Sequence, residues 1–259
     1  IVFKSGLAGL SMAWYLKKHT GSQKFGACYF GVFYALSGYM AAYSWNIMWL
    51  DCIVLLPLIL HGLERLVREK KGVFYCLMLG LSILSNYYIS IMICLFMVIY
   101  YVALLFLEKR PGWKDCLHSF FLFGVYSLLA GALAAAVLLP EIAALQSTAS
   151  GDFNFPTTLE IYFPIFDMIA RHIGNVQVET GLDHWPNLYC SVAVYIFMGL
   201  YFLNRRIAIR EKVVYGVLLL FFYASFSFNV LNFIWHGFHY PNSLPCRQSF
   251  IYIFLMLFI

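Results

Sequence analysis

Long apolar segments separated by short polar ones dominate the sequence. The apolar runs cover residues 1–16, 25–43, 47–63, 73–85, 87–107, 117–139, 188–203, 213–231 and 248–259. A helix needs about 20 apolar residues to cross a bilayer, and a spanning helix bonds all its backbone groups within itself. The pattern therefore predicts an all-α fold, a polytopic transmembrane helical bundle with about nine membrane segments. We expect residues 1–259 to form a single transmembrane domain.

Lysine and arginine are concentrated in alternate loops. They follow the first, third, fifth and seventh runs, as Lys17, Lys18 and Lys24, then Arg65, Arg68, Lys70 and Lys71, then Lys109, Arg110 and Lys114, then Arg205, Arg206, Arg210 and Lys212. Basic loops remain in the cytosol during membrane insertion. We therefore predict that these four loops are cytoplasmic, in a multi-pass membrane protein. The polar loops between them would face outside.

One apolar stretch, residues 73–107, is interrupted only by the polar segment 85–88. As one straight helix it would be about 52 Å long, which is too long for a single crossing. Basic clusters on both flanks belong on the same side, so the chain must cross and return. We predict a hairpin that turns at 85–88. A re-entrant loop is the alternative, because residues 73–85 are few for a full crossing.

Prolines mark two further features. Pro57 lies within the third run, where it should kink the helix and free a backbone carbonyl near mid-depth. Pro140 is predicted to end the sixth run, so that residues 140–186 form a long outer loop. Within this loop, residues 157–169 could begin with a threonine cap and lie on the membrane surface, although Pro164 interrupts any continuous helix.

Composition agrees with a membrane protein. The 259 residues are 63% hydrophobic and 11% charged, and the mean hydropathy is +0.79. Soluble domains carry about 25% charged residues, so this class is excluded. The net charge of +5 follows from the cytoplasmic loops, and we predict no nucleic-acid partner. Those loops also lack the glycine-rich motifs that cradle nucleotide phosphates.

Acidic candidates for chemistry lie on the predicted outer side. Asp51 falls in the first turns of the third run, after Asn46 at the preceding turn. A carboxylate at the membrane centre costs about 2.5–3.5 kcal/mol, and the positive end of a helix dipole offsets part of this cost. Asp51 is therefore either a general base or metal ligand, or a boundary carboxylate bonded to a neighbouring helix. Glu141, after Pro140, is either a second such base or a solvated loop residue.

Arg247 begins the last run at the predicted outer boundary. Its guanidinium could bind a lipid phosphate through two hydrogen bonds, or it could serve as a snorkelling anchor. Tyr240 and Asn242 precede it in a loop rich in aromatic and polar residues. His236 and His239 have ligand-like spacing, but without a third ligand we predict no metal site.

Four blocks of sequence resemble the YfhO family of bacterial membrane proteins. They are FYALSGYMAAYSWNIMWLDCIVLLPLILHGLERL (33–66), SNYYISIMI (85–93), PNLYCS (186–191) and HGFHYPNSLPCRQSF (236–250). The resemblance covers essentially the whole chain and implies a GT-C-like fold. Enzymes of that class transfer a sugar from a polyprenyl-phosphate carrier, such as undecaprenyl phosphate, on the outer face of the membrane. Their acceptors include cell-envelope polymers such as teichoic acid.

The resemblance also implies that part of the active site lies elsewhere. GT-C enzymes carry a catalytic carboxylate in the first outer loop, so here it would lie upstream of Ile1. We expect the chain to be truncated at both ends, to lack that helix and loop, and to be inactive alone. Arg247, Asn242, Tyr240 and Asn46 would bind the lipid phosphate and substrate, and Asp51 stays the catalytic candidate. A divalent metal ion remains an open requirement.

Two other functions remain open alongside glycosyl transfer. A transporter or flippase for lipid-linked precursors would place paired polar residues at mid-membrane on several helices. The sequence shows few charges there, which favours chemistry at the surface. A non-catalytic scaffold for envelope synthesis would not bind the sugar donor. In each case the surrounding partners are membrane lipids.

Overall fold

The computed structural model describes residues 1–21, 25–108, 112–146, 155–181, 184–239 and 243–259. These residues form twelve α-helices, one 3-10 helix and no β-strand. The α-helices are α1 (Val2–Thr20), α2 (Gly26–Ala35), α3 (Gly38–Tyr43), α4 (Ile47–Glu69), α5 (Val73–Ser85), α6 (Tyr87–Leu107), α7 (Trp113–Leu133), α8 (Ala135–Gln146), α9 (Val192–Leu203), α10 (Ile209–Ser227), α11 (Asn229–Trp235) and α12 (Ser249–Phe258). The 3-10 helix spans Ile165–His172.

The prediction of an all-α membrane protein is confirmed. Three helices, α4, α6 and α7, are long and apolar enough to cross a bilayer. Four shorter apolar helices are α5, α8, α9 and α12. The predicted break at 85–88 is confirmed, since α5 ends at Ser85 and the side chain of Asn86 caps α6 by accepting from the backbone N–H of Ile89 (2.9 Å). The hairpin of two crossings, with a re-entrant loop as its alternative, stays a prediction. The number of nine crossings and the GT-C-like fold stay predictions.

The prediction that Pro140 ends the sixth run is wrong. The chain breaks earlier, at Ala134, whose backbone N–H is shared between the carbonyls of Ala130 (3.3 Å) and Gly131 (3.1 Å). Helix α8 then restarts and continues through Pro140 to Gln146. Pro140 lies in the middle of α8, where its missing N–H removes the single backbone bond to the carbonyl of Ala136. The predicted outer loop therefore begins after Gln146 rather than at residue 140, and Glu141 lies inside a helix.

The expected surface helix in residues 157–169 also differs. No helix begins at the threonines; instead the 3-10 helix begins at Ile165, directly after Pro164. The φ of Pro164 is −58°, which is suited to starting a helix but not to lying inside one. Phe166 is 81% exposed whereas Met168 is fully buried, so this short helix presents an apolar outer face.

Pro57 has the predicted effect on the backbone. Helix α4 continues through it, but a proline has no N–H to donate to the carbonyl four residues earlier, that of Ile53. The hydroxyl of Tyr34 donates to this carbonyl instead, at 3.1 Å. The freed acceptor is thus satisfied by a side chain of α2, which ties the two helices together.

The bundle has two chemically distinct ends. At the basic end, the cation-rich loops meet one another through Arg68 with Glu108 (3.0 Å), Lys70 with Ser119 (2.8 Å) and Arg210 with the carbonyl of Leu107 (2.5 Å). At the polar end, the remaining loops meet through Gly38 N–H with Tyr189 O (2.6 Å), Tyr43 hydroxyl with Pro245 O (2.6 Å) and Leu244 N–H with Thr180 O (3.2 Å). The loops thus segregate as the charge pattern predicts.

Helix α12 is the centre of the core, because all of its residues are buried. It contacts α2, α9 and α10. An all-round apolar helix is stable only when neighbours cover every face. Its burial makes the last apolar run an internal element of the bundle.

Two glycines let α1 and α2 approach closely. A β-carbon on Gly31 would lie 2.5 Å from the carbonyl oxygen of Gly9, and one on Gly9 would lie 2.9 Å from the carbonyl oxygen of Gly31. Small residues at such crossings allow backbone-to-backbone packing, which drives helix association in membranes. This crossing therefore depends on the absence of side chains.

We expect Gly9→Leu to force α1 and α2 apart and to lower the free energy of unfolding by about 1–3 kcal/mol, the usual cost of overpacking. Gly6→Leu is the matched control, since a β-carbon on Gly6 meets nothing within 4 Å. The melting temperature of the detergent-solubilised full-length protein measures both. Equal melting temperatures for the two variants would contradict the close crossing.

Candidate functional site

Arg247 lies at the polar end between two aromatic rings. Its guanidinium carbon is 4.9 Å from the ring centroid of Tyr88 at the start of α6 and 5.5 Å from that of Trp49 in α4. Nε donates to the carbonyl of Leu244 (3.0 Å) and Nη2 to that of Ser243 (2.9 Å). Cation–π contacts and backbone bonds therefore hold the group in one place.

Among the residues that the structure describes, no carboxylate is paired with Arg247. Arg247 also lies two residues before α12, whose amino-terminal end carries partial positive charge. An immobilised guanidinium without a counter-ion is an anion site, so the sequence-based assignment of Arg247 as a phosphate-binding candidate fits its surroundings.

Asp51, in contrast, already has a partner. Its Oδ2 lies 2.6 Å from Nζ of Lys4 in α1, and the same ammonium donates to the carbonyl of Ile47 at 3.2 Å. Both side chains are part-exposed, at 39% for Asp51 and 28% for Lys4. The structure thus shows a boundary carboxylate bonded to a neighbouring helix, one of the two readings of this residue. A paired carboxylate is a weaker general base than a free one.

Asn46 occupies the position before α4 without capping it. Its backbone carbonyl accepts from Trp49 N–H (2.9 Å), but its side chain makes no cap bond. The amide nitrogen Nδ2 is buried and has no hydrogen-bond partner among the residues the structure describes. Tyr240 and Asn242, the other two candidates for substrate binding, lie outside the described residues.

Four fully buried polar residues surround the same end of α11 and α12. They are Asn232, His236, Gln248 and Ser249, each with 0% exposure. Within the described part of the chain, both side-chain polar atoms of Asn232 and of Gln248, Nε2 of His236 and Oγ of Ser249 have no hydrogen-bond partner. Leaving such a group unpaired costs about 1–3 kcal/mol, so native proteins contain few of them.

The imidazole of His236 is neutral and is oriented by the backbone. Nδ1 lies 2.7 Å from the carbonyl of Asn232, and since a carbonyl can only accept, Nδ1 carries the proton and Nε2 is an acceptor. Burial is the main cause that lowers the pKa of His236 to about 3; the hydrogen bond to the Asn232 carbonyl opposes this shift, and the positive charge of Arg247 contributes to it. Arg247 and His236 are thus electrostatic neighbours.

Sequence analysis named His236 only for its metal-like spacing and missed Asn232 and Gln248. A usable signal was present, because Asn232 and His236 are four residues apart and share one face of α11. Among the residues that the structure describes, no three His, Cys, Asp or Glu side chains are grouped so as to hold a metal ion.

The polar end is braced by Arg171 and Asn187. The guanidinium donates to the carbonyls of Pro186 (2.9 Å) and Gln177 (2.9 Å) and to Oδ1 of Asn187 (3.0 Å). Asn187 in turn donates to the carbonyl of Glu179 (2.7 Å). These hydrogen bonds occupy the guanidinium of Arg171, so its role differs from that of Arg247.

An apolar groove of about 700 Å³ lies beside the 3-10 helix. The 3-10 helix, α9, α10 and α12 form its walls, through residues such as Phe166, Ile169, Met198, Leu220 and Met256. At its edge, His172 Nε2 and the Tyr252 hydroxyl are 3.1 Å apart. Helix α12 forms one wall of the groove, and Arg247 lies two residues before the first residue of the same helix.

A second polar cluster lies toward the basic end, around Glu64. This carboxylate is 3% exposed. Its Oε1 accepts from the hydroxyls of Tyr15 (2.7 Å) and Tyr100 (3.0 Å) and lies 2.9 Å from Nδ1 of His19. Arg68 Nη1 is 3.8 Å from Oε2. Glu64 thus connects α1, α4 and α6.

Sequence analysis overlooked Glu64 by placing it in a loop after the third run. Helix α4 continues to Glu69, so Glu64 lies about 26 Å along it from Ile47, close to the basic end. The buried residues Leu56, Leu60 and Leu63 recur at helical spacing, and continuing this spacing would have placed Glu64 on the buried face of α4. Every partner found for it suits a structural junction.

We expect Glu64→Leu to lower the free energy of unfolding by about 3–5 kcal/mol, because Tyr15, Tyr100 and His19 would lose their shared acceptor. Glu64→Gln should cost less, since it retains an acceptor oxygen. Glu69→Gln, which alters a carboxylate that is 46% exposed, should change little. Denaturant titration of the full-length protein in detergent measures all three. A small loss for Glu64→Leu would refute the junction.

Comparison with known proteins agrees with these features. A family model described as "Bacterial membrane protein YfhO" matches residues 1–259. The "Uncharacterized protein YfhO" of Bacillus subtilis (strain 168) is 25% identical over 142 residues, which are 55% of this chain and 16% of that protein. The chain thus corresponds to a small part of this relative's length. No solved structure matches it. The chain, a membrane protein with several apolar helices, belongs to the family of the bacterial membrane protein YfhO.

Proposed function

We propose that the chain is part of a membrane glycosyltransferase that acts at the outer face of the bacterial plasma membrane. It would transfer a sugar from a polyprenyl-phosphate carrier to a cell-envelope polymer such as teichoic acid. The observation that carries this proposal is the unpaired guanidinium of Arg247, held between Tyr88 and Trp49 at the polar end. An immobilised cation at the edge of an apolar bundle suits a donor that joins a phosphate to a lipid chain.

Arg247 would act on the leaving group. An acceptor hydroxyl loses its proton to a base, and its oxygen bonds to the anomeric carbon of the sugar. The bond from that carbon to the phosphate oxygen breaks, and the phosphate keeps the electron pair. Preorganised positive charge stabilises the negative charge that develops there, which is usually the largest catalytic contribution.

The remaining parts of the scheme follow from the neighbouring residues. The apolar groove between the 3-10 helix and α12 has a lining suited to part of an isoprenoid chain. Asp51, bonded to Lys4, would shape the acceptor side together with Asn46 rather than remove the proton. The base would then come from a part of the full-length protein outside this chain. Tyr240 and Asn242 would complete the rim.

We expect Arg247→Ala to lower sugar transfer by the full-length protein roughly 100-fold or more, the usual loss of one charge-stabilising donor. Arg247→Lys should retain part of the activity, since a lysine keeps the charge but loses the planar fork. Release of sugar from a labelled polyprenyl-phosphate donor is the measurement. Arg206→Ala, an exposed arginine at the basic end, is the control. Unchanged transfer by Arg247→Ala would remove Arg247 from the scheme.

Sidedness is a separate expectation, because sugar carriers are used on the outer face. Single cysteines placed in a cysteine-free protein at Gln177 and at Arg206 report on the two ends of the bundle. We expect a membrane-impermeant maleimide to label position 177 in intact cells, and position 206 only after permeabilisation. The opposite pattern would place the polar end in the cytosol and exclude this chemistry.

A lipid-linked-precursor transporter is the second candidate, and Glu64 is the observation that favours it. Buried ionisable residues bonded across several helices often mark transport pathways. However, Glu64 lies near the basic loops, and its bonds to Tyr15, Tyr100 and His19 leave little capacity for a substrate. A transporter would move the labelled carrier across liposomes without releasing sugar. A non-catalytic scaffold would not bind the carrier.

A further inference from the structure

The amide side chains next to Arg247 form a second recognition element that the scheme above does not use. Asn232 lies in α11 and His236 directly follows its last residue, while Gln248 and Ser249 follow Arg247 at the start of α12. All four are fully buried, and their free polar atoms have no hydrogen-bond partner among the residues described. Gln248 and Ser249 are the two residues that follow Arg247 in the chain, and the charge of Arg247 also acts on the imidazole of His236.

The chemistry of these groups restricts what could satisfy them. Each amide offers an acceptor oxygen and a two-proton donor nitrogen, Ser249 offers a hydroxyl that does both, and Nε2 of His236 only accepts. None of the four side chains is charged, since His236 is neutral. A neutral group that carries several hydroxyls, each both donor and acceptor, would pair with this set, whereas an ion would find no counter-charge.

We infer that Asn232, His236, Gln248 and Ser249 bind the hydroxyl groups of a saccharide whose anionic end lies at Arg247. The inference rests on the proposed function, and it assigns the sugar of the donor to these residues. Phe250 directly follows Ser249 in the chain, and its ring packs on Tyr39 at 5.4 Å between ring centroids. Arg247 then binds the phosphate, and the amides distinguish a glycosylated carrier from a bare one.

The test uses apolar replacements of similar size, Gln248→Met and Asn232→Leu, in the full-length protein. Because the removed atoms have no protein partner, both variants should keep the wild-type melting temperature or exceed it. Native mass spectrometry compares binding of polyprenyl phosphate with that of the same carrier bearing a hexose or an N-acetylhexosamine. Gln177→Met is the matched control, the same substitution at an exposed residue of the polar end.

We expect the wild type to prefer a glycosylated carrier, and each variant to lose at least tenfold of that preference while bare-carrier affinity stays the same. Arg247→Ala should weaken binding of both carriers. The inference is overturned if the wild type shows no preference or the variants retain it. It is overturned equally if the variants melt at lower temperature and bind both carriers less well, since the polar atoms would then be structural.

Failure of the proposed function gives a different result. If the wild type binds neither carrier, saturation-transfer NMR with free methyl glycosides of hexose and N-acetylhexosamine decides the inference by itself. If magnetisation is transferred to the glycoside by the wild type but not by Gln248→Met, the result would support a saccharide site that binds without the lipid carrier. No transfer in the wild type would refute both proposals.

Discussion

The complete burial of α12 is the constraint on which the rest of the molecule depends. Every residue from Ser249 to Phe258 is covered by neighbouring helices. Its first turn follows directly on Arg247, and its last turn reaches the opposite end of the bundle. There the ring of Phe258 packs against Tyr15 (6.0 Å), Tyr100 (6.0 Å) and Tyr215 (5.4 Å), measured between ring centroids. One apolar helix thus connects the two polar clusters.

The buried polar atoms of the two clusters differ in whether they have hydrogen-bond partners. Around Glu64, three donors share one carboxylate oxygen, so the cluster is internally satisfied and holds helices together. Around Arg247, the neighbouring amides are fully buried and have no partner in the described residues. Because unpaired buried groups reduce stability, a fold retains them where they serve a ligand. This contrast separates the structural junction at Glu64 from the site that we propose for recognition.

The positive charges at the polar end are also used differently. Lys4 forms an ion pair with Asp51, and Arg171 donates hydrogen bonds to loop carbonyls and to Asn187. Arg171 and Arg247 both donate to neutral oxygen atoms, but in the described part of the chain Arg247 is the one of these three that also lies against two aromatic faces. A phosphate would bind there to a preformed site, so little binding free energy would be lost to reorganisation of the protein.

The sequence by itself determined the helices, their order and the grouping of the loops. Hydrophobic runs and alternating basic loops are local signals, and the break at Ser85 and the acceptor freed by Pro57 follow from chain length and proline chemistry. Only the tertiary structure decided which polar side chains have partners. The pairing of Asp51 with Lys4, the burial of Glu64 and the unpaired amides of Asn232 and Gln248 depend on contacts between distant residues. The break at Ala134 instead of Pro140 has the same origin, because α8 continues through Pro140 as α4 continues through Pro57. A proline removes one backbone bond, and packing in the bundle decides whether the helix continues past it.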